Sequence, residues 1–560
     1  MMYPKIPLAQ NLLEICKEKG LKHIVISPGS RNAPLTIGFT NQIGFTCYSI
    51  ADERSAAFFA LGMAQQLHEP VAVVCTSGSA LLNYYPAVAE AFYSQIPLVI
   101  ISADRPQSKI DIGDGQTIRQ ENVFANHSLY NANLTEEASE ENDLKIQKAL
   151  FIATSKKGPV HINIPFEEPL YETVDELTQS PIVFFNKLEQ SEFLLDNAFK
   201  TQWHEASKKL VLVGELRPNS VEQRYIDSLA KDESVVVLTE KTSNLHHPTF
   251  IDRIDTLITP FDDNDFQLLQ PEILLTFGGM VVSKRIKAFL RKYKPQAHWH
   301  VDELRAYDTY GALTAHFTTS INTFFNQLLN TENKTISTYF PTIDLIWKHR
   351  KVMHQQYISH IPFTDFKVFD FLSRHLPTQI QLQVSNSSAI RYLQLVDFDS
   401  DTEVFCNRGT SGIDGSTSTA IGAAIHHDYP TYFITGDISF FYDSNALWNN
   451  YIPKNFKIIL INNGGGGIFR ILPGHKETET FNTFFETSHE LTAEHLAKMY
   501  QLSYFSAKDE ESLFTIWSTF ELEKHPSILE IFTPEKLNNK ILLDYFKGRT
   551  IGGAIISAPW

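Results

Sequence analysis

Short apolar runs alternate along the chain with longer segments whose apolar residues recur at helical spacing. Residues 23–27 (HIVIS), 71–75 (VAVVC), 97–102 (PLVIIS) and 159–164 (PVHINI) are apolar almost throughout, and 45–50 is a weaker run of the same kind. Runs this short predict strands buried on both faces of a parallel sheet, with covering helices between them, residues 7–19 being the first. A second set lies at 210–213, 234–238, 273–277 and 298–301. A third begins near 380 and includes 432–435 (YFIT), 457–461 (KIILI) and 527–532 (SILEIF). An acidic, irregular linker with a short helix is expected over 168–205, and a helical link over 342–376. The pattern predicts an α/β protein of three doubly wound parallel-sheet domains, residues 1–180, 181–340 and 341–560.

A chain of 560 residues is long enough for three or four separate cores. Its 43% hydrophobic and 20% charged residues are those of an ordinary globular protein. The net charge of −16 disfavours nucleic acid or an anionic membrane as a general partner, and requires any anionic substrate to meet locally concentrated positive charge. Cys16, Cys47, Cys75 and Cys406 show no C-x-x-C spacing and are too few for a disulfide framework, so buried thiols are expected. The N-terminal MMYPKIPLAQ lacks the basic and apolar regions of a signal peptide, and no apolar run approaches bilayer-spanning length. A cytoplasmic location is expected.

The most informative stretch is 436–469. Gly436-Asp437 ends one apolar run, and Phe440, Phe441, Ala446, Leu447 and Trp448 follow at helical spacing. The next run then stops at Asn462-Asn463 and four glycines. In a β-α-β unit both strands end on one sheet edge, where open α/β folds bind ligands, so Asp437 and Asn463 are predicted side by side. A carboxylate, an amide oxygen and a glycine carbonyl are hard ligands for Mg²⁺, and Mn²⁺ is accepted by the same atoms. A crossover whose Gly and Asn residues only form turns would share this pattern.

Gly-Asp, 24 intervening residues and Asn-Asn resemble the diphosphate-binding motif of thiamine diphosphate (ThDP) enzymes, with Ile438 where a third glycine is usual. The resemblance implies ThDP bound by Gly436, Asp437, Ile438, Ser439, Asn463, Gly465, Gly466, Ile468 and Phe469, with Asp437, Asn463 and Gly465 on the metal. It gives Glu53, between a strand and a small-residue helix, the role of hydrogen-bonding the cofactor's pyrimidine nitrogen. Without the metal motif, Asp-Glu-Arg-Ser (52–55) would be a helix cap with first-turn carboxylates. Ser77 and Gly78, after the strand VAVVC, suit an anion or the pyrimidine edge, or a simple N-cap. Ile413 matches the bulky apolar residue that props the cofactor in its bent shape.

The segments ISPGSRNAPLT (26–36), DERSAAF (52–58), TSGSALLNYYPAVAEA (76–91), ADRP (103–106), GQTIRQ (115–120), SNSSAIR (385–391), NRGTSGIDG (407–415) and NNGGGGIF (462–469) occur in the order and spacing of one ThDP family. Together they resemble MenD, the 2-succinyl-5-enolpyruvyl-6-hydroxy-3-cyclohexene-1-carboxylate synthases of menaquinone biosynthesis. That resemblance implies a transferase that decarboxylates 2-oxoglutarate and adds the succinyl semialdehyde carbanion to isochorismate. Arg31, Arg105, Arg391, Arg408 and Lys284 match positions holding substrate carboxylates, and Ser30, Gln116 and Ser387 match polar contacts. Gly115 stands where some members carry Asn, so no contact is expected from it. The superfamily also implies a homodimer or homotetramer whose active sites lie between subunits, where Glu53 meets Asp437 and Asn463. The alternatives are another ThDP carboligase such as an acetolactate synthase-like enzyme, and an inactive ThDP-binding protein. A nicotinamide dehydrogenase is disfavoured by the lack of a G-x-G-x-x-G between strand and helix.

Overall fold

The computed structural model describes residues 2–185, 192–330, 336–471, 474 and 476–548. Three separate parallel sheets carry the predicted runs. The first contains His23–Ile26, Thr46–Ser49, Val71–Cys75, Leu98–Asp104, Tyr130–Asn133 and Val160–Pro165, arranged 2-1-3-4-6-5 by order of appearance. The third contains Gln381–Val384, Glu403–Phe405, Thr431–Gly436, Lys457–Asn462, Ser503–Ala507 and Ser527–Phe532, and repeats that 2-1-3-4-6-5 arrangement. Between them lies a five-stranded sheet of Lys209–Val213, Val235–Leu238, Ile273–Phe277, Ala297–Val301 and Leu313–Phe317, arranged 2-1-3-4-5. Tyr3–Pro4 pairs antiparallel with Thr173–Val174, which ties the linker back to the chain's start.

The strands that hydropathy leaves out are instructive. Tyr130–Asn133, Leu313–Phe317 and Ser503–Ala507 lie on sheet edges and are partly exposed, so their polar residues hide the pattern. Gln381–Val384 is fully buried despite its two glutamines. Gln381 accepts a hydrogen bond from Thr431 Oγ1 at 3.0 Å, and Gln383 donates to Gln65 Oε1 at 3.3 Å. The link expected over 342–376 is two helices, Tyr339–His360 and Asp365–His375, parted at Ile361 and Pro362, where proline has no N–H to continue the ladder. The helical segment expected within 440–450 is an earlier, shorter helix, Asp437–Tyr442, followed by the 3₁₀ turn Ser444–Leu447.

Helix Glu53–Leu67 of the first unit lies directly on helix Ser416–Ala424 of the third. A Cβ on Gly62 would stand 2.1 Å from the Thr419 carbonyl oxygen, and one on Gly422 would stand 2.0 Å from that of Phe59. The helices therefore meet backbone to backbone. Phe58, Phe59, Met63, Ala420, Ile421, Phe440 and Leu447 share one apolar core across this contact. Replacement of Gly62 by Ala forces the helices apart and is expected to cost about 1–3 kcal/mol, in line with overpacking of a tight interior. A thermal unfolding midpoint equal to that of the wild type would contradict this packing.

Candidate active site

Gly436 pairs with Ile461 in the third sheet, so the strands Thr431–Gly436 and Lys457–Asn462 end on one edge. Asp437 follows the first and Asn463 the second. Asp437 Oδ1 accepts the Ile438 N–H at 2.7 Å, and Oδ2 accepts the Gly465 N–H at 3.0 Å. This second bond draws the glycine loop onto the carboxylate. His489 Nε2 lies 3.4 Å from Asp437 Oδ2, and that carboxylate holds the imidazole above its ordinary pKa. Asn463 donates Nδ2 to Asp365 Oδ2 at 3.0 Å, while its Oδ1 is buried and without a partner.

The glycines keep this edge accessible. A Cβ on Gly436 would meet nothing within 4 Å, whereas one on Gly465 (φ +155°) would stand 2.9 Å from the Glu486 carbonyl oxygen. That carbonyl accepts the Gly466 N–H at 2.6 Å, and Arg470 binds the Glu486 carboxylate through two nitrogens. Ile468 and Phe469 sit half-buried on the turn Gly467–Ile471 that follows. Ser439 Oγ donates to the Ile413 carbonyl at 2.7 Å, bringing 413 and 437–439 together. A carboxylate beside an orphaned amide oxygen, under open glycine backbone, fits a hard divalent cation carrying a diphosphate.

On the same face Asn386 organises the loop around Arg408. Its Nδ2 donates to the carbonyls of Asn407 (2.6 Å) and Gly412 (2.7 Å), and its Oδ1 accepts Arg408 Nη1 at 2.6 Å. Glu90, from the first unit, accepts the N–H groups of Gly409 and Thr410 and the Thr410 hydroxyl, each at 2.7 Å. Arg391 projects from helix Ser388–Leu393, with Ser387 before it at φ +70°. The Nε atoms of Arg391 and Arg408 are buried and unpartnered. Burial, and then the charge of Arg408, push the Arg391 guanidinium below its ordinary value, with Asp255 and Glu240 opposing. Lys284 is not part of this cluster: it is exposed at the start of helix Lys284–Lys292. Lys287, one turn on, feels Glu240, Arg408 and Arg391 instead.

In the first unit the expected residues cluster at strand ends. Arg105 Nη1 donates to Ser77 Oγ at 2.6 Å and to the Gln116 carbonyl at 3.0 Å, and Gly78 N–H donates to Gln120 Oε1 at 2.8 Å. Ser30 is exposed on the loop before Arg31. Gly29 on that loop lies against Thr76, where a Cβ would come within 2.3 Å of the threonine side chain. Arg31 is buried, donating to the Phe166 carbonyl at 3.0 Å and to Glu168 at 3.1 Å. Glu53 opens its helix half-buried, its charge acting on Cys75 and Tyr84, and its carboxylate has no hydrogen bond among the described residues. Its neighbours Asp52 and Arg54 are tied to Asn445 and to the Tyr442 carbonyl. No described contact joins Glu53 to Asp437, Asn463 or Ile413.

One chain thus holds two half-sites, one on the first sheet and one on the third. Asn386 and Glu90 lie inside quoted motifs, yet nothing in their spacing marks them, because each acts on loop backbone. The middle sheet contributes Glu240, whose carboxylate accepts the N–H groups of Val282 and Ser283 at 2.6 and 2.7 Å and is pushed up to about 7 by burial.

Residues 6–131 match the family model of the thiamine pyrophosphate enzyme N-terminal TPP binding domain, and residues 172–384 match that of the thiamine pyrophosphate enzyme middle domain. Together with the two half-sites, these matches define a ThDP-dependent enzyme. Full-length relatives narrow the class further. The chain is 66% identical over 550 residues to the 2-succinyl-5-enolpyruvyl-6-hydroxy-3-cyclohexene-1-carboxylate synthase of Flavobacterium psychrophilum, covering 98% of this chain and 100% of the relative. It is 64% identical to the synthase of the same name from Flavobacterium johnsoniae, over 98% of this chain and 100% of the relative. Identity to the Porphyromonas gingivalis synthase is 36%, over 96% of each chain. The chain belongs to this synthase family, MenD.

Asp443 gives a pH test of the framework under the site. It is fully buried, accepts the Ser418 N–H at 2.8 Å and the Ser418 hydroxyl at 3.0 Å, and is pushed up to about 7 by burial. A carboxyl whose folded pKa exceeds its unfolded value stabilises the fold at low pH, and that contribution is lost as pH rises through the folded pKa. Relative to Asp443→Asn, the wild type should therefore lose thermal stability between about pH 4 and 7. A midpoint difference that stays constant across that range would contradict the burial of a titrating carboxyl there.

Proposed function

We propose that the enzyme decarboxylates 2-oxoglutarate and adds the remaining four-carbon unit to isochorismate, giving the product named in its family title and CO₂, a step of menaquinone biosynthesis. The observation that carries this reading is the pair of buried Arg408 and half-buried Arg391, each with a buried, unpartnered Nε. An acidic chain keeps two mutually repelling guanidiniums under cover, each with a free donor, which is costly unless an anion completes them. Both substrates are dicarboxylates. A small monoacid, as in acetolactate synthase-like enzymes, would leave this charge in surplus.

Bound ThDP supplies the nucleophilic carbon and the electron sink for loss of CO₂. The chain's own residues bind, orient and place charge. Asp437, Asn463 and the Gly465 carbonyl would hold Mg²⁺, or Mn²⁺, on the diphosphate, and the backbone at Gly436, Ile438, Ser439, Gly466, Ile468 and Phe469 would line it. Ile413 would support the cofactor in its bent shape. Glu53, a carboxyl with no described partner, hydrogen-bonds the pyrimidine ring nitrogen and governs its proton. Ser77 and Gly78 meet the pyrimidine edge. Arg31, Arg105, Arg391 and Arg408, with Ser30, Gln116 and Ser387, take the substrate carboxylates and hydroxyls. Lys284, exposed at the start of its helix, joins this set from the middle unit.

Because Glu53 and Asp437 have no described contact within one chain, the complete site is proposed to form between two copies, in a homodimer or homotetramer. Exposed Leu82, Tyr442 and Trp448, beside the two half-sites, support such a contact. Domain limits near residues 180 and 340 and a cytoplasmic location belong to the same proposal. No helix among the described residues is long and apolar enough to cross a membrane.

The test is to follow CO₂ release from 2-oxoglutarate with ThDP and Mg²⁺, together with isochorismate consumption. Stoichiometric loss of both substrates is expected. CO₂ release with isochorismate untouched would replace the acceptor, and absence of CO₂ release from cofactor-bound enzyme would overturn the reading.

A further inference from the structure

We propose that Asp365 is a positioning residue for the metal site, turning the Asn463 amide so that its oxygen, and not its NH₂, meets the cation. This rests on reading the loop of Asp437 and Asn463 as that site. The two ends of an asparagine amide have nearly the same shape and opposite polarity, so the side chain itself does not choose which end faces a ligand. A divalent cation is attracted by the oxygen and repelled by the NH₂. The partner on the far side makes the choice.

That partner is a carboxylate held in a closed ring of bonds. Asp365 Oδ2 accepts Asn463 Nδ2 at 3.0 Å, and Oδ1 accepts Thr533 Oγ1 at 2.6 Å. The Asp365 N–H donates to Asn538 Oδ1 at 2.9 Å, and Asp365 is 2% exposed. Thr533 is in turn fixed to the end of the metal-site strand, its N–H donating to the Asn462 carbonyl at 3.0 Å. The ring Asp365, Asn463, Asn462, Thr533 therefore fixes the carboxylate against the residue it orients. An ionised carboxylate only accepts, so Asn463 must turn its nitrogen towards Asp365 and leave Oδ1 free on the other side, buried and unpartnered. The charge of Asp437 also acts on Asp365, which places the second carboxylate near enough to strengthen the field on a bound cation.

The isosteric change Asp365→Asn tests this sharply. The Thr533 hydroxyl still needs an acceptor at position 365, so the new amide turns its oxygen to Thr533 and its NH₂ to Asn463. Asn463 then flips and offers NH₂ to the cation. Mn²⁺ binding to the full-length enzyme with ThDP present, followed by electron paramagnetic resonance at pH 8, reads the effect directly. Tight, ThDP-dependent Mn²⁺ binding by the wild type is expected, and its absence would overturn the reading of the site and this inference with it. Against that reference, Asp365→Asn should weaken Mn²⁺ about 10–100-fold, the usual effect of losing a partner behind a metal ligand. Its turnover should recover as Mg²⁺ is raised. A folded variant that binds Mn²⁺ as the wild type does, or whose loss of turnover no amount of Mg²⁺ restores, would overturn the role. If Asp365→Asn does not fold, Thr533→Val frees the same carboxylate from its second anchor. It should weaken Mn²⁺ in the same direction, and unchanged affinity there would equally overturn the inference.

Discussion

The close approach of helix Glu53–Leu67 to helix Ser416–Ala424 fixes the geometry on which the rest depends. Gly62 and Gly422 let each helix reach the other's carbonyl oxygens, and no side chain larger than hydrogen fits at either point. The contact joins the first and third units through one apolar core, so they are not free to swing past each other. It also fixes the direction in which Glu53 faces. Asp52 is bound to Asn445, just beyond the helix that Asp437 begins, and Arg54 to the carbonyl of Tyr442, that helix's last residue, while no described contact joins Glu53 to Asp437 or Asn463. Two separate clusters in one chain follow from this packing, and on the proposed function a second chain completes the site.

Charge follows the same division. The third unit gathers on one sheet edge a carboxylate and an orphaned amide, each tied to backbone or to a buried partner, with the guanidiniums of buried Arg408 and half-buried Arg391. The first unit supplies Glu53, and beside it the cluster of Arg105, Ser77 and Gln116. Glu90 links the two, since its carboxylate holds the loop that follows Arg408. The middle sheet adds Glu240 beneath the guanidiniums, and its carboxyl partly balances their repulsion. An acidic protein thereby gathers cationic groups at the edge where the proposed function places an anionic substrate.

Much of this was legible in the sequence because strands advertise themselves. Apolar runs marked the inner strands, and two runs ending in Gly-Asp and Asn-Asn placed Asp437 beside Asn463, as the pairing of Gly436 with Ile461 bears out. The edge strands Tyr130–Asn133, Leu313–Phe317 and Ser503–Ala507 were hidden because one side of them meets solvent, and Gln381–Val384 because its buried glutamines bond to partners far along the chain. The supporting residues were hidden for a related reason. Asp365 reaches Asn463 across 98 positions and Glu90 reaches Gly409 across 319, and no local spacing encodes either meeting. Lys284, which a motif placed near the site, is exposed at the start of its helix, and Lys287 one turn on feels the charges of Glu240, Arg408 and Arg391.

On the proposed function, Glu53 of one chain and Asp437 of another complete a single site. Mixing two separately inactive variants, Glu53→Gln and Asp437→Ala, after dissociation and reassociation tests it most directly. Random reassortment of dimers would give half heterodimers, each with one intact site, and so about a quarter of wild-type activity. Recovery towards that level is the predicted result. Mixtures that stay as inactive as their components, with heterodimers shown to have formed, would place Glu53 and Asp437 in the same chain's site and contradict the account.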